Sequence, residues 1–412
     1  MTLPRRGLRA IAALSIAVCL SAACSNADSS SPEGASSGGT YNIWDPYPQF
    51  DDSSDWVKLL TKCGTDAGVT VKRTGYDTTD LTNKALLAAQ QGNSPDVLIV
   101  DNPVVSTLAE AGVLNTTDAT AGIEPNLLAA GQQDGKTYGI PIGANTLALY
   151  YNKKVLDAAK VDPATVKDWA SLTAALEKVK AAGKKGITFS AIGTEEGSFQ
   201  FLPWFWGSGA QLTQLDSAQG VAALTLWTDW LKNGLAPNSV LNNTQTTSWQ
   251  EFATGDYAFS ENGTWQLANA KKAGFEYGII PIPSQAGGTA PAPTGGEFVT
   301  TPVQTDTKRY DTTAKLVACL SSADNALTTD TTLSYVAATA AVQDKQVAAN
   351  PDLKVWVEAV KAAKGRTSDN LGTKYPKISE PLWTAFQSAL SGGKSPADAL
   401  KAAQTTAASA TK

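Results

Sequence analysis

The sequence predicts an α/β protein of two ordinary-sized domains, built on doubly wound parallel sheets. Three observations carry that reading. From Tyr41 the chain alternates strand-like and helix-like segments, the order that produces parallel strands with crossover helices. The run VLIVD at residues 97–101 is apolar up to its last residue, as in a strand buried on both faces. About 370 residues remain beyond an N-terminal leader and linker, enough for two domains and a large core.

The leader is read first. Arg5, Arg6 and Arg9 precede an apolar stretch, residues 11–20, which is too short to span a bilayer, and Ser21-Ala22-Ala23-Cys24 closes it. Residues 1–23 are therefore assigned as a signal peptide. Small residues ending at a cysteine match a bacterial lipoprotein signal, in which Cys24 becomes the lipidated first residue. Ser21 stands where that pattern prefers Leu, and cleavage near Ala23 gives plain secretion instead. The Arg5-Arg6 pair also hints at a twin-arginine signal. Residues 24–39 have the composition of a flexible linker. The chain reads as exported, and either anchored through Cys24 to the outer face of the cytoplasmic membrane or secreted.

Without residues 1–23 the formal charge moves from −5 to −8, because three arginines and no acids leave with them. An acidic chain lacking clustered Lys and Arg is not a nucleic-acid binder. There is no histidine, which removes Ser-His-Asp and Cys-His catalysis and the commonest metal ligand. No catalytic set, metal site or cofactor is assigned. Eleven Trp and eleven Tyr serve equally as core or as stacking faces for sugars. Once Cys19 and Cys24 are set aside, Cys63 and Cys319 remain, each in a helical apolar pattern. They pair if their helices are neighbours, or stay as two buried thiols.

In chain order, TYNIWD is the first strand, and residues 53–63 form a helix with Trp56, Leu59, Leu60 and Cys63 on one face. GVTVKRT is the second strand, and residues 77–91 form a helix stopped at Gly92. VLIVD and a helix over 104–111 complete the unit. Ligands of such sheets sit at the carboxyl ends of the strands. Those ends carry Trp44 and Asp45, Tyr76 and Asp77, Asp101 and Asn102, although each taken singly is explained by a cap or turn. Later helices are predicted at 169–182, at 221–232 with Trp227 and Trp230 inward, at 351–363, and along Ile378, Leu382, Phe386 and Leu390. A last helix is capped at Ser395-Pro396. An Asn262-Gly263 turn is placed before Trp265, and YGIIPIP is read as a strand.

The segment GIPIGANTLALYYNKKVL (139–156), preceded by PDVLIVD and followed by a GTW turn and GGE, resembles the extracellular solute-binding proteins of ABC importers. The branch is the sugar-binding one typified by maltose-binding protein. YPKISEPLWTAFQSALSGGKSPADALKAA resembles that family's closing helices, and the likeness runs from about Tyr41 to Ala403. It implies a two-lobed, periplasmic-binding-protein-like fold of class II type: two doubly wound sheets joined by hinge crossings near 142–147, 295–299 and 334–341. The N-terminal lobe is then 40–143 with 297–335, and the C-terminal lobe 144–296 with 336–412. Cys63 and Cys319 fall in the same lobe. Residues 249–259 become a strand approach to the GTW turn.

The resemblance implies binding without chemistry. A neutral di- or oligosaccharide is captured between the lobes of a monomer and handed to membrane permease subunits. ATP is hydrolysed by partner subunits, this chain having no G-x-x-x-x-G-K-[ST]. Sugar recognition needs flat aromatic faces and planar polar groups. By match to motif positions, Trp265 is the foremost stacking platform, and EEGSFQFLPWFW (195–206) contributes Trp204 ahead of Phe199. Trp44, Asp45, Tyr76, Asp77, Asp101, Asn102, Asn145, Gly296 and Glu297 complete the ligand set. It contains no Arg or Lys, which favours an uncharged ligand over an anion. The alternatives are a non-sugar solute (a glycerol phosphate ester or peptide) and an exported glycosidase drawing a carboxylate pair from Glu195, Glu196, Asp45 or Asp101.

Overall fold

In the computed structural model the described residues are 38–412, and they form one unit. The expectations for the signal peptide, Cys24 and most of the linker lie outside them. Strand β1 (Thr40–Asp45), helix α1 (Asp55–Asp66), β2 (Thr70–Gly75), α2 (Thr78–Gln90), β3 (Val97–Asp101) and α3 (Asn102–Glu110) follow one another. Helix α1 starts where Ser54 Oγ accepts the Val57 N–H at 3.2 Å. Trp56, Leu59, Leu60 and Cys63 are buried along it at three- and four-residue spacing. Strand β1 pairs in parallel with β2 and β3. Along β3, Val97 and Ile99 enter one core while Leu98 and Val100 enter the other, which is why the run is apolar without alternation.

A short hairpin, β4 (Gln132–Gln133) and β5 (Lys136–Thr137), precedes β6 (Gly139–Pro141). The second sheet is built from β7 (Leu147–Asn152), β8 (Lys185–Thr188), β9 (Tyr257–Gly263) and β10 (Tyr277–Ile280), in the order β10-β7-β9-β8. Strand β11 (Glu297–Thr300) then returns to the first sheet, whose order is β2-β1-β3-β11-β6. Neither sheet is wholly parallel. Strand β11 runs antiparallel to β3 and β6, and β7 antiparallel to β9 and β10. The reason is entry: β7 and β11 carry the chain away from the crossings, while every other strand of these two sheets runs toward them.

The crossings lie side by side. Ala144 and Val336 exchange two backbone hydrogen bonds of 2.7 and 2.8 Å, and Asn145 and Gly295 exchange two of 3.2 and 2.8 Å. Each crossing carries one residue of positive φ: Gly143 at 152°, Gly296 at 105° and Ser334 at 56°. Helices cover both faces of the second sheet. Leu149, Ile187 and Phe259 pack with Trp204, Trp227 and Trp230 on one side, and Ala148 and Tyr150 with Trp249, Phe252 and Trp356 on the other. Leu127, from a segment assigned to the N-terminal lobe, joins the latter group. Cys63 and Cys319 form a disulfide with a Cα–Cα separation of 5.7 Å, tying α1 to helix Tyr310–Leu320.

Two local expectations are corrected. Residues 249–252 belong to helix Gln245–Ala253, not to a strand. Asn262 and Gly263 end β9 in extended conformation, Gly263 having φ −105° and ψ −178°. Their pairing with Ala148 and Leu147 of β7 overrides local turn preference, and the bend comes later, at Thr264–Gln266.

Candidate ligand-binding cleft

Because the strands converge on the crossings, side chains leaving their carboxyl ends meet in one cleft of about 980 Å³. Its aromatic lining comes from Phe199 on helix Glu195–Gly207, Trp265 just beyond β9, and Trp383 on helix Lys374–Leu390. The Phe199 and Trp265 rings stand 6.3 Å apart and tilted by 53°. Tyr47 and Phe50 from the segment after β1, Asp101 at the end of β3, Tyr335, and the crossing residues Asn145, Gly296 and Glu297 also line it.

Two polar networks organise these groups. Arg366 is 2 % exposed and joins residues of both sheets' surroundings. Its Nη2 donates to Asp101 at 3.0 Å and to Asn102 Oδ1 at 3.1 Å, while Nη1 donates to Glu195 Oε1 at 2.8 Å. Glu195 also accepts from the Tyr375 and Ser379 hydroxyls, at 2.6 and 2.5 Å. Burial alone would lower the Arg366 pKa. The charges of Asp101 and Glu195 outweigh it and hold the guanidinium above its ordinary value. It also lies 4.9 Å from the centre of the Phe199 ring.

The second network surrounds Glu297, whose Oε2 accepts from Tyr47 at 2.7 Å and from Tyr335 at 2.6 Å. Burial, and then the charge of Asp101, raise the Glu297 carboxyl to about 7, although both tyrosine bonds and Arg366 pull it down. Farther inside, Glu261 is fully buried with Oε2 accepting the Trp204 indole N–H at 2.8 Å. Burial pushes it well above the carboxylate range.

Of the twelve residues singled out from the sequence, Asp101, Asn145, Phe199, Trp265, Gly296 and Glu297 line the cleft. The other six do not, and each is corrected for a physical reason. Asp45 is fully buried, gripped by Arg73 through two hydrogen bonds of 2.6 and 2.8 Å and by the Trp56 indole at 3.0 Å. Trp44 and Tyr76 pack edge to face, 5.2 Å apart, against the Leu98 and Val100 side of the sheet. Asp77 is the exposed residue preceding α2. Asn102 lies behind the lining, with Nδ2 donating to the Thr294 carbonyl at 2.6 Å. Trp204 is fully buried; at about 100° per residue it sits on another side of its helix from Phe199.

The sequence reading did not place Tyr47, Tyr335 or Trp383 in the site, named Arg366 only with Lys72 and Arg73 as cations able to approach it, and assigned Glu195 and Glu196 only to the glycosidase alternative. Trp383 had a signal: it sits beside Leu382 on an amphipathic helix, at the edge of the apolar face. Arg366 had none, since its partners are 171 and 265 residues away.

The family model for bacterial extracellular solute-binding proteins matches residues 58–355, well over half of the chain. The chain belongs to that family. Among similar proteins, the maltodextrin-binding protein MdxE of Bacillus subtilis is 29% identical over 316 residues, spanning 72% of each chain. A maltooligosaccharide ABC transporter solute-binding lipoprotein of Streptococcus pneumoniae is 27% identical over 249 residues, 56% of this chain and 57% of the relative. In structure, the GacH receptor of Streptomyces glaucescens, solved unliganded and with acarbose, superposes with a TM-score of 0.77. That likeness covers 91% of this chain and 98% of the receptor at 24% identity, and it places this family member among the two-lobed folds.

Proposed function

We propose that this chain is the extracytoplasmic carbohydrate-binding component of an ABC importer, taking a neutral di- or oligosaccharide between its lobes and presenting it to a permease as a monomer. The observation that carries this reading is the gathering of Phe199, Trp265 and Trp383 in one cleft with Asn145, Asp101 and Glu297. Flat faces for the C–H side of a sugar ring lie beside planar groups for its hydroxyls. The cleft's Arg366 is already committed to Asp101 and Glu195, so it offers no free cation to a phosphate or carboxylate. The relatives that bind maltodextrin and maltooligosaccharides support the same class of ligand. The function is binding without turnover: the ligand favours the closed arrangement of the lobes by its contacts with both. Lipidation of Cys24 anchors the protein, in keeping with its leader and with the lipoprotein relative.

The test is thermal unfolding of the mature chain against mono-, di- and oligosaccharides and glycerol phosphates, with product analysis on the same samples. A sugar at about a thousand times its dissociation constant adds about 4 kcal/mol, a clear rise in Tm. A shift only with charged solutes, or consumption of the sugar, would sink the proposal.

A further inference from the structure

Oε1 of Glu297 is a carboxyl oxygen that the cleft leaves unpaired. Oε2 of the same group accepts from both Tyr47 and Tyr335, and two O–H donations occupy its lone pairs. Oε1 makes no hydrogen bond among the described residues, and Glu297 lines the cleft. Glu297 also stands directly across the β11–β3 pairing from Asp101, a position in which like charges repel. The two acids are treated unequally. Asp101 has the Arg366 guanidinium at 3.0 Å, whereas no ion pair of the described residues includes Glu297.

We propose that Glu297 meets the ligand as a neutral carboxylic acid, donating from Oε1 to an acceptor oxygen of the bound sugar, so that affinity falls when this proton leaves. The inference rests on the sugar-binding reading above. Facing Glu297 are Asp101 from β3, Arg366 from the segment before helix Lys374–Leu390, Tyr47 after β1, and Tyr335 at the third crossing. The two tyrosines hold their protons well above the ordinary tyrosine range, chiefly through burial, and Arg366 stays charged. With burial and Asp101 raising it to about 7, Glu297 is the group of this cluster that changes charge near neutral pH.

Maltotriose, titrated by calorimetry from about pH 5.5 to about pH 8.5, reads this directly. Affinity is expected to be level below neutrality and to fall about tenfold per pH unit above about pH 7. Glu297→Gln presents an amide donor at every pH, so its affinity is expected to be independent of pH. Wild-type affinity that rises with pH, or a Glu297→Gln profile as steep as the wild type's, overturns the proposal. Infrared difference spectra of ligand-free wild type against Glu297→Gln give a second readout that needs no sugar. A protonated-carboxyl band is expected at about pH 6 and lost by about pH 8.5, and its absence at the lower pH overturns the proposal. A band with no binding of maltotriose or of any sugar of the panel above overturns the sugar reading and the contact with it, while upholding the neutral acid.

Discussion

Replacing Trp265 by alanine removes the half-buried ring that stands against Phe199. Calorimetric titration should show affinity for the preferred sugar reduced about tenfold to a hundredfold, the combined worth of an aromatic face and its buried area. Asp45 and Asp101 show how far single residues can be read. Both are acids at strand ends, and nothing local separates them. Arg73, 28 residues on, closes round Asp45, while Asp101 keeps a face to the cleft beside Arg366. A sequence reveals an acid at a strand end but not the partner that folding brings to it. Titration gives another prediction at this scale. Glu297, Glu261 and Asp330 all have folded-state pKa values raised by burial. Folding therefore takes up protons on these three groups above the unfolded carboxylate range, and the stability they contribute is fully present below that range and falls as pH rises. The urea midpoint should decrease from about pH 5 to about pH 8, and Glu297→Gln should flatten the part of that decline below about pH 7.

Among the elements, those buried on both faces were the most legible. VLIVD became β3 because both of its faces meet a core, and α1 carries its apolar stripe where the periodicity placed it. One misreading fell where strand pairing overrode local preference, at Asn262 and Gly263, whose partners on β7 are more than a hundred residues earlier; the other took residues 249–252 of a helix for a strand. The disulfide is an element-scale device. It joins α1 to helix Tyr310–Leu320 across 256 residues of sequence. The double variant Cys63→Ala, Cys319→Ala should lose roughly 2–5 kcal/mol of unfolding free energy in urea titrations, since the open chain gains freedom in its unfolded state. Trp265 fluorescence should still report the sugar, because the disulfide lies outside the cleft lining.

Across the whole molecule, the three crossings lie side by side as one ribbon, tied by the Ala144–Val336 and Asn145–Gly295 backbone pairs, and each carries one positive-φ residue. A Cβ at Gly296 would come within 2.5 Å of the Gly143 carbonyl oxygen, and at φ 105° it would be strained in any case. Gly296→Ala is expected to force two crossings apart, at a cost of about 1–3 kcal/mol. Small-angle scattering should then show a larger ligand-free radius of gyration and less compaction on adding sugar; unchanged scattering would mean that the ribbon is not the hinge. The placement of β11 has a consequence in time. Strand β11 lies between β3 and β6, so the first-made sheet stays split until residues 297–300 have been synthesised. Most of the polypeptide thus leaves the ribosome before its opening half has anything to close upon. This architecture delays its own completion.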